Sequence, residues 1–207
     1  MAAQRFEGTY TALVTPFRED QSIDWEAFDA LVDAQIAGGV RGLVPCGTTG
    51  ESPTLSHEEQ LAVIARTVKR AAKRVHVLAG CGSNSTLEAV HLSREAERSG
   101  ADAVMIVVPY YNKPTQDGLV QHFKTVAESV KCPVCLYNVP GRTSVDLLPD
   151  AVGRILEVAP NVVAIKEATG NVVRAQELAR RFGSRLAILC GDDALTLPMV
   201  AAGASGV

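Results

Sequence analysis

Residues 162–168 read Val-Val-Ala-Ile-Lys-Glu-Ala. The run is β-branched, of strand length and apolar on both faces rather than alternating, which is the pattern of a parallel strand covered on two sides. Runs of the same kind lie on either side of it: TALVTPF (11–17), GLVPCG (42–47), VHVLAGCG (75–82), AVMIVVP (103–109), PVCLYNV (133–139) and LAILCGDD (186–193). The intervening stretches read as helices, so the chain is a βα repeat. Ser56 and Ser85 each stand three residues before a glutamate, Glu59 and Glu88, and these Ser-x-x-Glu boxes predict two helix starts. After the first box, Leu61, Ile64 and Val68 fall at helical spacing and Lys69, Arg70, Lys73 and Arg74 close the segment, where cations meet the negative end of the helix dipole.

The strand starts recur every roughly 24 to 33 residues, close to one eighth of the ~250 residues of a (β/α)8 (TIM) barrel. That α/β barrel is the expected fold, with a doubly wound open sheet as runner-up. An eighth strand is due near residue 206, within the last segment LTLPMVAAGASGV. Residues 1–207 are therefore expected to form a single, incomplete barrel domain, truncated after the seventh strand. The edges of the first and seventh strands would then be bare templates for pairing, and a longer natural gene product is expected.

The chain has 207 residues, 47 % hydrophobic and 21 % charged, with its 17 Gly and 10 Pro dispersed, which excludes disorder, collagen and coiled coil. A formal charge of −3 gives no basic footprint for nucleic acid. No apolar run approaches the ~18 residues of a membrane span, and MAAQRFEGTY lacks a signal-peptide core, so a soluble, cytoplasmic protein is expected. Five cysteines, Cys46, Cys81, Cys132, Cys135 and Cys190, are an odd set in a chain large enough to hold a core, and fit a reducing compartment better than a disulfide framework. Cys132 and Cys135 match C-x-x-C but sit at a strand, where residues three apart face opposite ways, so they read as core cysteines. His57, His76, His91 and His122 show no zinc spacing, and no metal is assigned. Neither the G-x-x-x-x-G-K-[ST] loop nor a G-x-G-x-x-G fingerprint follows a strand, so nucleotide cofactors have no support.

Lys166 is the most informative residue. Counting alternate positions puts Val162, Ala164 and Lys166 on one face and Val163, Ile165 and Glu167 on the other. An ammonium in an apolar strand loses hydration, which lowers its pKa and frees a neutral amine to attack a ketone. The alternative is a structural lysine paired with a carboxylate. Tyr137 closes the fifth strand, where a phenol could shuttle protons or simply pack. Thr48 and Thr49 lie in the turn Gly47-Thr48-Thr49-Gly50-Glu51, whose glycines let backbone N–H groups approach a ligand while the hydroxyls donate to a carboxylate. Arg142, after the fifth strand, could clamp a carboxylate by two hydrogen bonds or be a solvated turn residue. Tyr110 and Tyr111 put two aromatics in a loop, as surface packing or an oligomer contact.

Taken together, GTTGE (47–51), PYYNKP (109–114), LYNVPGRT (136–143), IKEATG (165–170) and GDDA (191–194) resemble, in order, the 4-hydroxy-tetrahydrodipicolinate (dihydrodipicolinate) synthase family. This is a branch of the class I lysine Schiff-base pyruvate aldolases and lyases, built on (β/α)8 barrels. The resemblance implies that Lys166 forms an imine with pyruvate, whose enamine attacks L-aspartate 4-semialdehyde in the first committed step of diaminopimelate and lysine biosynthesis. It implies a proton relay of Tyr137, Thr48 and Tyr111, the last from a neighbouring subunit. Thr49 would hold the pyruvate carboxylate, Arg142 the aldehyde substrate's carboxylate, and Gly191 would contribute from the seventh strand. No metal or nucleotide cofactor is implied. A homotetramer, as a dimer of dimers, is implied, although the family's eighth βα unit and C-terminal helical region do not appear in this sequence. Ser52, His57, Asn84, Glu88 and Tyr110 match a lysine-inhibition site, while Pro53 and Gln60 depart from the pattern of sensitive enzymes. Sialic-acid and sugar-acid lyases share the lysine and tyrosine but not an arginine in this setting. They remain the alternative reading, beside a truncated fragment without turnover.

Overall fold

The computed structural model describes residues 6–207. Seven strands, β1 (Tyr10–Ala12), β2 (Gly42–Val44), β3 (His76–Gly80), β4 (Ala103–Val107), β5 (Val134–Asn138), β6 (Val162–Glu167) and β7 (Ala187–Cys190), stand side by side in chain order. Every neighbouring pair is parallel. An order that never reverses has no switch point, which excludes the doubly wound sheet and leaves a barrel wall. Outside it run α1 (Trp25–Ala37), α2 (His57–Ala71), α3 (Thr86–Arg98), α4 (Gln116–Glu128), the short α5 (Pro140–Thr143), α6 (Pro149–Val158), α7 (Val172–Phe182) and α8 (Thr196–Ala201).

The strands are apolar throughout because each face has its own core. Leu43, Val104, Ile106, Leu136, Ile165 and Ile188 point outward and pack against helix residues such as Ile64, Leu92, Phe123, Ile155 and Leu178. Val44, Leu78, Met105, Cys135, Tyr137, Ala164 and Leu189 form a smaller cluster inside the barrel. Each such side chain removed from water contributes about 1.5–3 kcal/mol, set against the entropy of ordering the chain.

The helices start where hydroxyls and amides are available. Ser56 Oγ accepts from Glu59 N–H at 3.2 Å and Glu59 Oε2 accepts from Ser56 N–H at 2.8 Å, completing the expected box. The second box is only half made. Ser85 Oγ accepts from Glu88 N–H at 3.4 Å, but Glu88 accepts instead from the hydroxyl of Ser83, and Ser83 Oγ also takes the Ser85 N–H.

Two expectations need adjusting. The pairing of β5 with β6 steps from Val134–Val162 to Cys135–Ala164, so Val163 is an extra residue in a β-bulge. Val162 consequently joins the outer core and Val163 packs on the inner cluster, the reverse of the alternate count. From Ala164 onward the count holds. The two edges are also not wholly bare. Ser205, Gly206 and Val207 run between β7 and β1, with Ser205 N–H donating to Ile188 O (2.9 Å), Cys190 N–H to Gly206 O (2.8 Å), Gly8 N–H to Ser205 O (3.0 Å) and Tyr10 N–H to Val207 O (2.8 Å). These bonds link the carboxyl half of β7 to the start of β1. Gly206 has to be glycine here, since a Cβ would lie 2.1 Å from Gly8 O. Among the described residues no helix is long and apolar enough to cross a membrane.

Candidate active site

A cavity of about 1110 Å³ opens at the carboxyl ends of the strands and continues down between β7 and β1 past Thr11 and Val207. The register that follows the bulge pairs Tyr137 with Lys166 directly across β5 and β6, so both side chains enter the barrel. Lys166 Nζ lies over the Tyr137 ring, 4.8 Å from its centroid. Lys166 is half-buried, and no ion pair to it occurs among the described residues. Burial pushes its ammonium below the usual lysine range, opposed by the nearby Asp193 carboxylate. The structural alternative, a lysine neutralised by a carboxylate at bonding distance, is not what the strand presents.

Gly191, just beyond β7, makes room for that lysine. A Cβ there would come within 2.5 Å of Ala168 Cβ and 3.2 Å of Lys166 Cε. Thr48 and Thr49 form one turn of 3-10 helix after β2 and are exposed on the cavity wall. That turn is seated by Thr15, whose hydroxyl donates to Gly50 O at 2.8 Å, and by the lack of a side chain at Gly50, where a Cβ would sit 2.9 Å from Leu13 O. Arg142, exposed in α5, reaches the same cavity.

Tyr111 does not join this group. It is 88 % exposed, outside the cavity, and its backbone has φ 69°, a conformation costly for an aromatic residue. A second cavity, of about 450 Å³, shares Thr48 and Arg142 with the first and is lined by Ser52, His57, Glu88 and Tyr110, together with Pro53 and Gln60. Four of the five residues expected around a bound lysine thus meet. Asn84 is not on its wall, and its carbonyl accepts from Asn112 Nδ2 at 3.2 Å.

The cysteines carry no nucleophilic signal. Burial drives the thiols of Cys46, Cys132 and Cys135 up to about 12. Among the described residues no group of three or more His, Cys, Asp or Glu is placed to hold a metal.

The sequence reading missed a charged network directly behind the site. Glu167, wholly buried on the outer face of β6, accepts from Arg174 Nε at 2.8 Å and from Thr169 N–H at 2.9 Å. Arg174 of α7 also donates to Asp146 Oδ2 at 3.2 Å and to the Leu147 carbonyl. Asn138 Nδ2 donates to Asp146 Oδ1 at 2.9 Å, and Asn138 Oδ1 accepts from Leu147 N–H at 3.1 Å. The available signal was Glu167 itself, a charge on an apolar outward face that needs a cationic partner, with Arg174 seven residues along at the start of α7.

A lysine on the sixth strand of a parallel barrel, set against a tyrosine and with no ion pair among the described residues, is the arrangement expected of a lysine-dependent aldolase or lyase on a (β/α)8 fold. Within that class, the model of the Dihydrodipicolinate synthetase family matches residues 5–207, and the chain belongs to that family. It is 61 % identical to the 4-hydroxy-tetrahydrodipicolinate synthase of Sorangium cellulosum over all of this chain and 69 % of the relative. Among solved structures it is similar to the dihydrodipicolinate synthase of Aquifex aeolicus, with TM-score 0.95, 50 % identity and coverage of 98 % of this chain and 69 % of the other. It is likewise similar to the chloride-inhibited dihydrodipicolinate synthase of Acinetobacter baumannii complexed with pyruvate, with TM-score 0.95, 46 % identity and the same coverage.

Proposed function

We propose that the protein condenses pyruvate with L-aspartate 4-semialdehyde to 4-hydroxy-tetrahydrodipicolinate, the lyase reaction that opens diaminopimelate and lysine biosynthesis. The observation that carries this is the Lys166 amine, desolvated and free of an ion pair at the mouth of a barrel in this family. The neutral amine adds to the pyruvate ketone and water leaves, giving an imine. A methyl proton is then lost and the enamine carbon forms a bond to the aldehyde carbon, whose oxygen takes up a proton. The amino group of the second substrate attacks the imine carbon, closes the ring and returns the lysine amine. The imine is the electron sink throughout, so the chemistry calls for neither metal nor nucleotide.

Tyr137 beside the amine and Thr48 on the cavity wall are suited to carry the protons. Tyr111 completes the relay from a second copy of this chain, a role supported by its exposure and its strained backbone. Thr49 binds the pyruvate carboxylate, Arg142 the carboxylate of the aldehyde substrate, and Gly191 leaves space for the imine. Residues 1–207 act as one domain, and the second cavity offers Ser52, His57, Glu88 and Tyr110 to a free lysine, while Pro53 and Gln60 on the same wall depart from the pattern of lysine-sensitive enzymes. Borohydride reduction in the presence of pyruvate is expected to add a pyruvyl-derived mass to the peptide containing Lys166. A folded sample with no adduct at that residue refutes the reading.

A further inference from the structure

Three of the residues that do the proposed chemistry, Lys166, Tyr137 and Arg142, have a neighbour in the buried network behind them. Glu167 follows Lys166 on β6, and Asn138 follows Tyr137 on β5. Asp146 and Leu147 end the loop that carries Arg142. Arg174 draws all three segments together from α7, with Nε on Glu167, one terminal nitrogen on Asp146 and the other on the Leu147 carbonyl. Asn138 bridges the same partners, with Nδ2 donating to Asp146 at 2.9 Å and lying 3.4 Å from Glu167 Oε2. The backbone extends the tie, since Ala168 N–H donates to Asn138 O and Gly191 N–H to Glu167 O, at 2.9 and 2.8 Å.

A buried carboxylate and guanidinium are costly to desolvate, and an apolar pair of the same volume is often as stable or more so. Their value here is therefore geometric. Arg174 presents its donors in a rigid planar fork, so bonding three segments at once fixes their relative positions. Strand alternation turns the side chains of Glu167 and Asn138 outward as those of Lys166 and Tyr137 turn inward, so an error in the outer pair is transmitted to the inner one.

Resting on the Lys166 imine reading, we propose that Arg174, Glu167 and Asn138 are positioning residues: their network holds Lys166, Tyr137 and the Arg142 loop at the spacing that imine formation requires. Misplacement by about 1 Å costs up to roughly 100-fold in rate. The experiment follows, in the full chain, the rate at which pyruvate becomes reducible onto Lys166 and the pyruvate concentration at half-saturation. The parent protein is compared with Glu167→Gln, Arg174→Met and Arg174→Lys, each shown to be folded by cooperative thermal unfolding. Glu167→Gln and Arg174→Met should slow adduct formation about 10- to 100-fold while half-saturation moves less than threefold, and Arg174→Lys should recover part of the loss. Loss of stability alone, with adduct formation within twofold of the parent, overturns the proposal. If the variants at 167 and 174 fail to fold, Asp146→Asn at the half-exposed end of the network decides: at least a threefold slower adduct supports positioning, and the parent rate overturns it. A parent protein that forms no adduct overturns the imine reading and this proposal together, whereas adduct in the parent and undiminished variants removes only the positioning role.

Discussion

At the scale of the single residue, Lys166 shows how a functional group can oppose stability. Burial holds its ammonium below the usual lysine range in the folded chain, while the unfolded chain returns it to about 10.4. Between the lowered folded value and the unfolded one, the unfolded state binds more protons, so stability rises with pH across that window. Below it the full cost of a charge in an apolar setting applies. Lys166→Met is therefore expected to raise the melting temperature at neutral pH by a few degrees, with the gain shrinking as pH climbs toward 10, while abolishing the pyruvate adduct. Thermal unfolding of both proteins from pH 6 to 10 checks the sign. A variant less stable than the parent at every pH contradicts it. The lysine was legible because an amine in an apolar strand is anomalous by itself. Tyr111 was legible as a surface loop residue, but its left-handed backbone, φ 69°, was not, because local sequence carries no mark of it.

At the scale of the element, hydrophobic period fixed which segments were strands and which helices, because two cores demand two apolar faces. It could not place the extra residue at Val163, since a bulge is a property of the pair and β6 alone carries no mark of its register with β5. The same limit hid the partner of Glu167, seven residues away on another element. Packing of α4 on α3 supplies a further case. His122 is buried beside Phe123, with Nδ1 2.9 Å from Thr86 Oγ1 and Nε2 without a partner among the described residues, and burial lowers its pKa to about 4. Its unfolded value is about 6.5, so the folded chain resists protonation and loses stability as pH falls from about 6.5 toward 4. His122→Gln should unfold less readily than the parent at pH 4.5 relative to pH 7. Denaturant midpoints at the two pH values test this, and equal acid sensitivity in both proteins removes His122 as the cause.

At the scale of the whole molecule, the first and seventh strands meet across a short run of backbone. Ser205, Gly206 and Val207 bond to β7 on one side and to Gly8 and Tyr10 on the other. Gly206→Val forces side-chain atoms into the Gly8 backbone and should lower the melting temperature by several degrees, while slowing neither α2 nor α3 in acquiring amide protection. Hydrogen exchange should show the loss at Gly8, Tyr10 and Cys190, whose amides depend on this junction. Unchanged protection there means the ring is held by other contacts. The bulge at Val163 lies nearer the amino end of β6 than the meeting of Tyr137 with Lys166. A bulge at that point absorbs the offset of the lower strand, so the mouth above keeps Tyr137 opposite Lys166.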